Sequence, residues 1–150
     1  MSVLKSFFTL HGRMAPKPYL LRCLILFAIG AATNFLGYIH PYAGYAGGII
    51  SLIVLYSFVA LSVKRLHDAN RSGWWMIVFV VVSLALGGPL EQLSQSLFPG
   101  WESSDDIYFR MTLTMVAANV AVSLLIALTI ATLFKSSEEA NTYGPPTARE

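Results

Sequence analysis

Within residues 64–73, seven of ten side chains are polar or ionisable: Lys64, Arg65, His67, Asp68, Asn70, Arg71 and Ser72, with Trp74 and Trp75 directly after them. A tether between two helices needs far less chemistry than this. Guanidinium forks match phosphate and carboxylate oxygens two at a time, so Arg65 and Arg71 are candidates to hold an anion while Asp68 orients His67 or keeps one arginine in place. The residue types of a hydrolytic triad are present in Ser72, His67 and Asp68, but they lie within six residues of one another. Triad members normally converge from distant segments, which argues against that chemistry. The three histidines His11, His40 and His67 are scattered and the single cysteine, Cys23, sits in an apolar run, so no metal framework is legible. No residue is expected to be catalytic, and no metal or cofactor is expected. If the preceding helix continues past Val63, Lys64 meets Asp68 and His67 meets Arg71 at i,i+4 spacing. Ser72 is placed to cap the next helix, and Gly73 allows a sharp turn there. The plainer alternative is a solvated, charged loop.

The elements that must position this cluster are apolar. Of the 150 residues 55% are hydrophobic and 12% charged, and mean hydropathy is +0.61, against about 25% charged in a soluble domain. Apolar residues gather into blocks at 19–39, 47–63, 74–90 and 111–134, each near the ~20 residues that a helix needs to span hydrocarbon. The pieces between are too short to build a soluble core. The fold class expected is therefore an all-α membrane protein: a single integral domain over 1–150, a four-helix transmembrane bundle with short interfacial helices and a tail at 135–150. The first block exceeds the 7–15-residue apolar region of a cleaved signal, predicting a retained helix. Val3, Leu4, Phe7 and Phe8 mark one face of an interfacial helix over 2–10, which Pro16 and Pro18 end. Leu90, Leu93, Leu97 and Phe98 mark another, beyond a break at Gly87-Gly88-Pro89. The fourth helix is expected to start near Asp105.

All but one of the ten Lys and Arg fall in the leading segment and first turn, the 64–73 connection or the tail, and the exception, Arg110, stands beside Glu102, Asp105 and Asp106. The positive-inside rule then puts both termini in the cytoplasm. The net charge of +2 is too even to suggest nucleic-acid binding. Inside the bilayer, small and polar residues mark helix contacts: Cys23, Phe27, Gly30, Asn34 and Gly37 share one face of the first span, and Asn119, Ser123, Ala127 and Ala131 one face of the fourth. Asn34 and Asn119 fall in the same leaflet and are expected to meet.

The run Arg65-Leu66-His67-Asp68-Ala69-Asn70-Arg71-Ser72-Gly73-Trp74-Trp75, with Gly12-Arg13 ahead of Tyr19 and Asn141-Thr142-Tyr143-Gly144-Pro145 in the tail, resembles the signature of the YhaH-like bacterial inner-membrane proteins, domain of unknown function 805. Met14, Ala15, Pro16 and Pro18 stand where that family usually carries further charged residues, and Pro146 where it has Asp. The resemblance implies a small multi-pass protein of the bacterial inner membrane and supplies no reaction. It also implies that Arg13, Arg65, His67, Asp68, Asn70, Arg71, Ser72, Trp74, Asn141 and Tyr143 form one cytoplasmic polar cap. A structural or interaction module follows, embedded in the phospholipid bilayer and meeting anionic head groups or a membrane protein partner. A small transporter or a channel built by homo-oligomerisation through Asn119 and Ser123 is the second reading, and an enzyme acting at head-group level the third.

Overall fold

The computed structural model describes residues 5–36, 40–97 and 107–146. Among them every regular element is a helix: α1 (Lys5–Phe8), α2 (Pro16–Thr33), α3 (Pro41–Asp68), α4 (Trp75–Leu97) and α5 (Ile107–Leu133). Two are long and apolar enough to cross a membrane by length and composition, over Tyr42–Asp68 and Thr112–Leu133, each with hydropathy 2.2.

Helix ends explain where the expected boundaries shift. α2 starts at Pro16, three residues before the apolar block, because proline at the first helical position has its φ preset and lacks only an N–H that would be unpaired anyway. α3 likewise starts at Pro41, and His40 caps it, its Nδ1 accepting from Tyr42 N at 3.3 Å. It runs on through the charged cluster to Asp68, well past the expected 47–63. α4 continues through Gly87-Gly88-Pro89 to Leu97, where a break was expected. Proline inside the helix removes a single helical bond, a loss that α4 absorbs without ending. Residues 90–97 therefore prolong α4 and do not form a second interfacial helix. Of the leading helix expected over 2–10, residues 5–10 are described: Lys5–Phe8 form α1, while Thr9 and Leu10 are not helical, so this helix ends before Pro16 and Pro18 are reached; Val3, Leu4, Gly37, Phe98 and the expected start at Asp105 lie outside the described residues.

α2 packs chiefly on α3 and next on α5, and α4 lies against α5. The buried core gathers at one end of this arrangement. Tyr19, Cys23 and Leu26 of α2 meet Leu61 and Leu66 of α3, Ile126 and Ile130 of α5, and Met76 of α4. There Tyr19 Oη and Ser62 Oγ share a buried hydrogen bond of 3.0 Å between α2 and α3. Towards the opposite end Tyr42, Tyr45, Ile49 and Leu52 are exposed. Even so, backbones approach closely there: a Cβ on Gly47 would stand 2.7 Å from Thr33 O. Phe35 and Phe109 also meet, with centroids 5.9 Å apart, joining the end of α2 to the start of α5.

The small-residue stripes divide. Ala127 is fully buried, a Cβ on Gly30 would touch Val54 Cγ1 at 3.5 Å, and Ser123 is half-buried. Asn34 and Asn119 do not pair as expected. Asn34 Nδ2 donates to Gly30 O at 2.6 Å and Asn119 Nδ2 to Met115 O at 2.9 Å, each satisfying its amide on its own helix. A local carbonyl one turn back needs no second helix in register, so it wins over an interhelical bond worth about 0.6 kcal/mol.

Candidate functional site

The site grows from the way α3 ends. Asn70 adopts φ +54°, the left-handed region that Asn tolerates better than other side-chain-bearing residues. Reversal there lets Asn70 N donate to His67 O at 3.0 Å and Arg71 N to Leu66 O at 2.9 Å, a Schellman ending that satisfies the last carbonyls of the helix. Ser72 Oγ then accepts from Trp74 N at 3.3 Å, shaping the turn into α4. The expected role of Gly73 changes. Its backbone has no positive φ, but a Cβ would stand 2.9 Å from Val63 Cγ1, so glycine is required by the close approach of this turn to α3.

Asp68 closes the last turn of α3 and is fully buried. One carboxylate oxygen accepts from Arg13 Nε at 3.0 Å, the other from Arg65 Nη1 at 2.7 Å. Arg65, 1% exposed, also donates to Ser136 Oγ, to Ala131 O and to Phe134 O. Those carbonyls belong to the end of α5, where a cation also meets the negative pole of the helix dipole. Arg13 spends every N–H it has: Nε on Asp68, Nη1 on the carbonyls of Glu139 (2.9 Å) and Gly144 (3.2 Å), and Nη2 on those of Asp68 (3.3 Å) and Ser137 (2.6 Å). One side chain thus ties the segment before α2, the end of α3 and the tail after α5.

The tail answers with its own polar groups. Ser137 N donates to Asp68 O at 2.8 Å. Asn141 and Gly144 exchange backbone bonds of 3.1 Å in both directions. Asn141 Oδ1 accepts from Tyr143 N, and the φ of +133° at Gly144 restricts that corner to glycine. The turn so formed sits on the end of α3: Asn141 Nδ2 donates to His67 O at 2.9 Å, Thr142 Oγ1 to Asn70 Oδ1 at 3.3 Å, and the Tyr143 ring stacks on His67 at 3.8 Å and 5°.

Arg13, Arg65, His67, Asp68, Asn70, Asn141 and Tyr143 are therefore in one bonded cluster, with Ser72 at its edge. Arg71 and Trp74 are outside it, both exposed, and the Arg71 guanidinium bonds to none of the described residues. Two expectations change here. Lys64 does not pair with Asp68 at i,i+4: it is buried and donates to Ser6 O of α1, while Asp68 takes the two arginines. His67 and Arg71 do not face each other along a helix, because the helix stops at Asp68. The fork of Arg13 is filled by the chain's own carbonyls and that of Arg65 by Asp68, Ser136 and two carbonyls, which leaves Arg71, outside the cluster, as the arginine that points to solvent. Ser136, Ser137, Gly144 and Ser6 join the cluster unforeseen. Most contribute main-chain oxygens or a hydroxyl, and side-chain type signals none of these. Among the described residues no group of three His, Cys, Asp or Glu side chains could hold a metal ion.

The profile of a family described as "Protein of unknown function (DUF805)" matches residues 7–145. The chain is similar to "Inner membrane protein YhaI" of Escherichia coli (strain K12), 35% identical over 85 residues that cover 54% of this chain and 70% of that protein. It is also similar to "Inner membrane protein YhaH" of the same organism, 30% identical over 91 residues covering 54% and 71%. No solved structure matches it.

Proposed function

This chain belongs to the DUF805 family, and from that premise we propose that it is a four-span inner-membrane protein, both termini and the polar cap cytoplasmic, that works as a non-catalytic interaction module. The observation that carries this is the five-fold use of Arg13. Its bonds hold residue 13, Asp68 and residues 137–144 together, so an even number of crossings must separate each from the next. Two helices lie between Arg13 and Asp68 and two between Asp68 and Ser137. Nearly all of the Lys and Arg fall on the same side, which the positive-inside rule makes cytoplasmic.

An interaction module is favoured over an enzyme because Arg13, Arg65 and Asp68 are bonded to one another or to the chain's own carbonyls. Both oxygens of Asp68 are occupied by guanidinium, and Ser72 is engaged with the turn into α4. What faces outward is a rim with Arg71 and Trp74, a pairing of fork and amphipathic ring suited to anionic lipid head groups at the inner leaflet. The test uses single cysteines in a Cys23→Ser background. An impermeant maleimide applied to intact spheroplasts should label a Ser96→Cys chain and reach a Pro146→Cys chain only after permeabilisation. The opposite pattern overturns the topology, and turnover of phospholipid by the purified protein overturns the non-catalytic reading.

A further inference from the structure

The tail is held as a ligand is held. Arg13 reads three of its carbonyls, Asp68 O takes Ser137 N, His67 O takes the Asn141 amide, and the His67 ring is the platform for Tyr143. The receiving groups come from the segment before α2 and the end of α3. The docked piece is self-closed by the paired Asn141 and Gly144 backbones and by the Asn141 Oδ1 bond to Tyr143 N, so it keeps its shape on either side of a binding event. Pre-organisation of this kind lowers the cost of docking.

We propose that the cap is a peptide-binding cradle whose ligand is the polar turn Asn141-Thr142-Tyr143-Gly144, filled in cis by the chain's own tail and open to the same turn from a second copy. It rests on the reading that the cap is aqueous and cytoplasmic. Release is accessible because none of the described residues from 137 onwards belongs to the buried core. Glu138, Glu139, Ala140, Thr142 and Pro145 are exposed. Undocking exchanges these hydrogen bonds for bonds to water, so each costs its modest net worth and not its full strength, and little apolar surface is uncovered. The end of α5 stays fixed meanwhile, because Arg65 grips Ala131, Phe134 and Ser136 independently of the turn. A short connection between a fixed helix end and a self-closed turn is the arrangement in which identical copies exchange elements. Copies confined to one membrane raise the concentration at which the neighbour's turn competes with the tethered one.

Two measurements decide it. A dye-labelled peptide of residues 136–146 is titrated by fluorescence anisotropy against three nanodisc-held chains: the parent, the full chain with Asn141→Ala and Tyr143→Ala, and a chain ended after Ser136. Both vacated chains should bind at least tenfold more tightly than the parent, whose own tail fills the cradle, and the peptide carrying the same two substitutions should not bind. No binding to the full-length vacated chain, if monodisperse, overturns the cradle, as does equal binding of the substituted peptide. For exchange, Asn70→Cys and Thr142→Cys are placed on separate Cys23→Ser chains, coexpressed and oxidised in isolated membranes. A disulfide dimer that neither chain forms alone is expected. Cross-linking confined to a single chain carrying both substitutions overturns the second copy as occupant. Maleimide labelling of Pro146→Cys is read in parallel, so a failed cradle and a failed topology give different results.

Discussion

Arg13 and Asp68 are 55 residues apart in the chain, yet Arg13 Nε meets Asp68 Oδ1 at 3.0 Å with their side chains 2% and 0% exposed. Arg65 holds the other oxygen of the same carboxylate. Two buried cations thus depend on one anion. Removing a single partner from a buried ion pair costs about 3–5 kcal/mol, because the charge left behind is uncompensated. Asp68→Asn, which keeps the shape and deletes the charge, should lose at least that much in denaturant unfolding of the detergent-solubilised protein. A loss smaller than about 1 kcal/mol would show that water reaches the pair.

Arg13→Lys tests geometry separately from charge. Lysine has three donors on one nitrogen, whereas Arg13 distributes five over acceptors at the end of α3 and in the tail. The conservative variant should therefore release the tail nearly as fully as Arg13→Ala. Cleavage by a glutamate-specific protease at Glu138 and Glu139 reports the release, and both variants should be cut several-fold faster than the parent. Parent-like protection in Arg13→Lys would mean that charge alone holds the tail.

The density of polar types over 64–73 marks this region in the sequence, and the four long helices α2 to α5 coincide with the four apolar blocks, though with other bounds. The partners are harder to see. Arg13 and Arg65 are satisfied largely by carbonyls of Glu139, Gly144, Ser137, Ala131 and Phe134, and every residue type carries that oxygen. The start of α3 is hidden for another reason: His40-Pro41 is a cap followed by a preset φ, but it lies beside Tyr42 and Gly44 in a stretch whose composition suits a loop. Helical spacing pairs Lys64 with Asp68, whereas α1, packed over this turn, supplies the Ser6 carbonyl that Lys64 takes instead.

Gly73→Ala should destabilise by about 1–3 kcal/mol, the usual cost of overpacking. The added methyl would stand 2.9 Å from Val63 Cγ1 and 3.2 Å from Cγ2. Val63→Ala removes both of those atoms, so the double variant should be more stable than the sum of the single losses. Thermal unfolding of the four proteins gives the coupling, and strict additivity would place the effect elsewhere in the turn.

Arg71 separates binding from folding. Its side chain is exposed and bonds to none of the described residues, so Arg71→Ala should change stability by no more than about 0.5 kcal/mol. The same variant should copurify with less phosphatidylglycerol than the parent, and Arg71→Lys, which keeps charge but loses the fork, should fall between them. Native mass spectrometry of the three proteins reads the retained lipid. Unchanged retention in Arg71→Ala would remove this residue from the proposed head-group contact.

Asn70 combines a backbone demand with a side-chain contact, and two substitutions pull them apart. At φ +54° a Cβ crowds the residue's own carbonyl, a cost of about 1–2 kcal/mol that asparagine offsets with its short polar side chain and alanine does not. Glycine carries no such cost. Both variants lose the 3.3 Å bond that Thr142 Oγ1 donates to Asn70 Oδ1, an exposed contact worth about 0.5–1.5 kcal/mol at most. Asn70→Gly should therefore remain close to the parent and Asn70→Ala should fall about 1–2 kcal/mol below it, with the difference appearing in global unfolding. Tail cleavage at Glu138 and Glu139 reads the other half: it should rise modestly and equally in both, since each lacks the same oxygen. If Asn70→Ala were as stable as Asn70→Gly, α3 would be ending without the left-handed residue, and the bonds from Asn70 N and Arg71 N to the last carbonyls would have to be replaced from elsewhere.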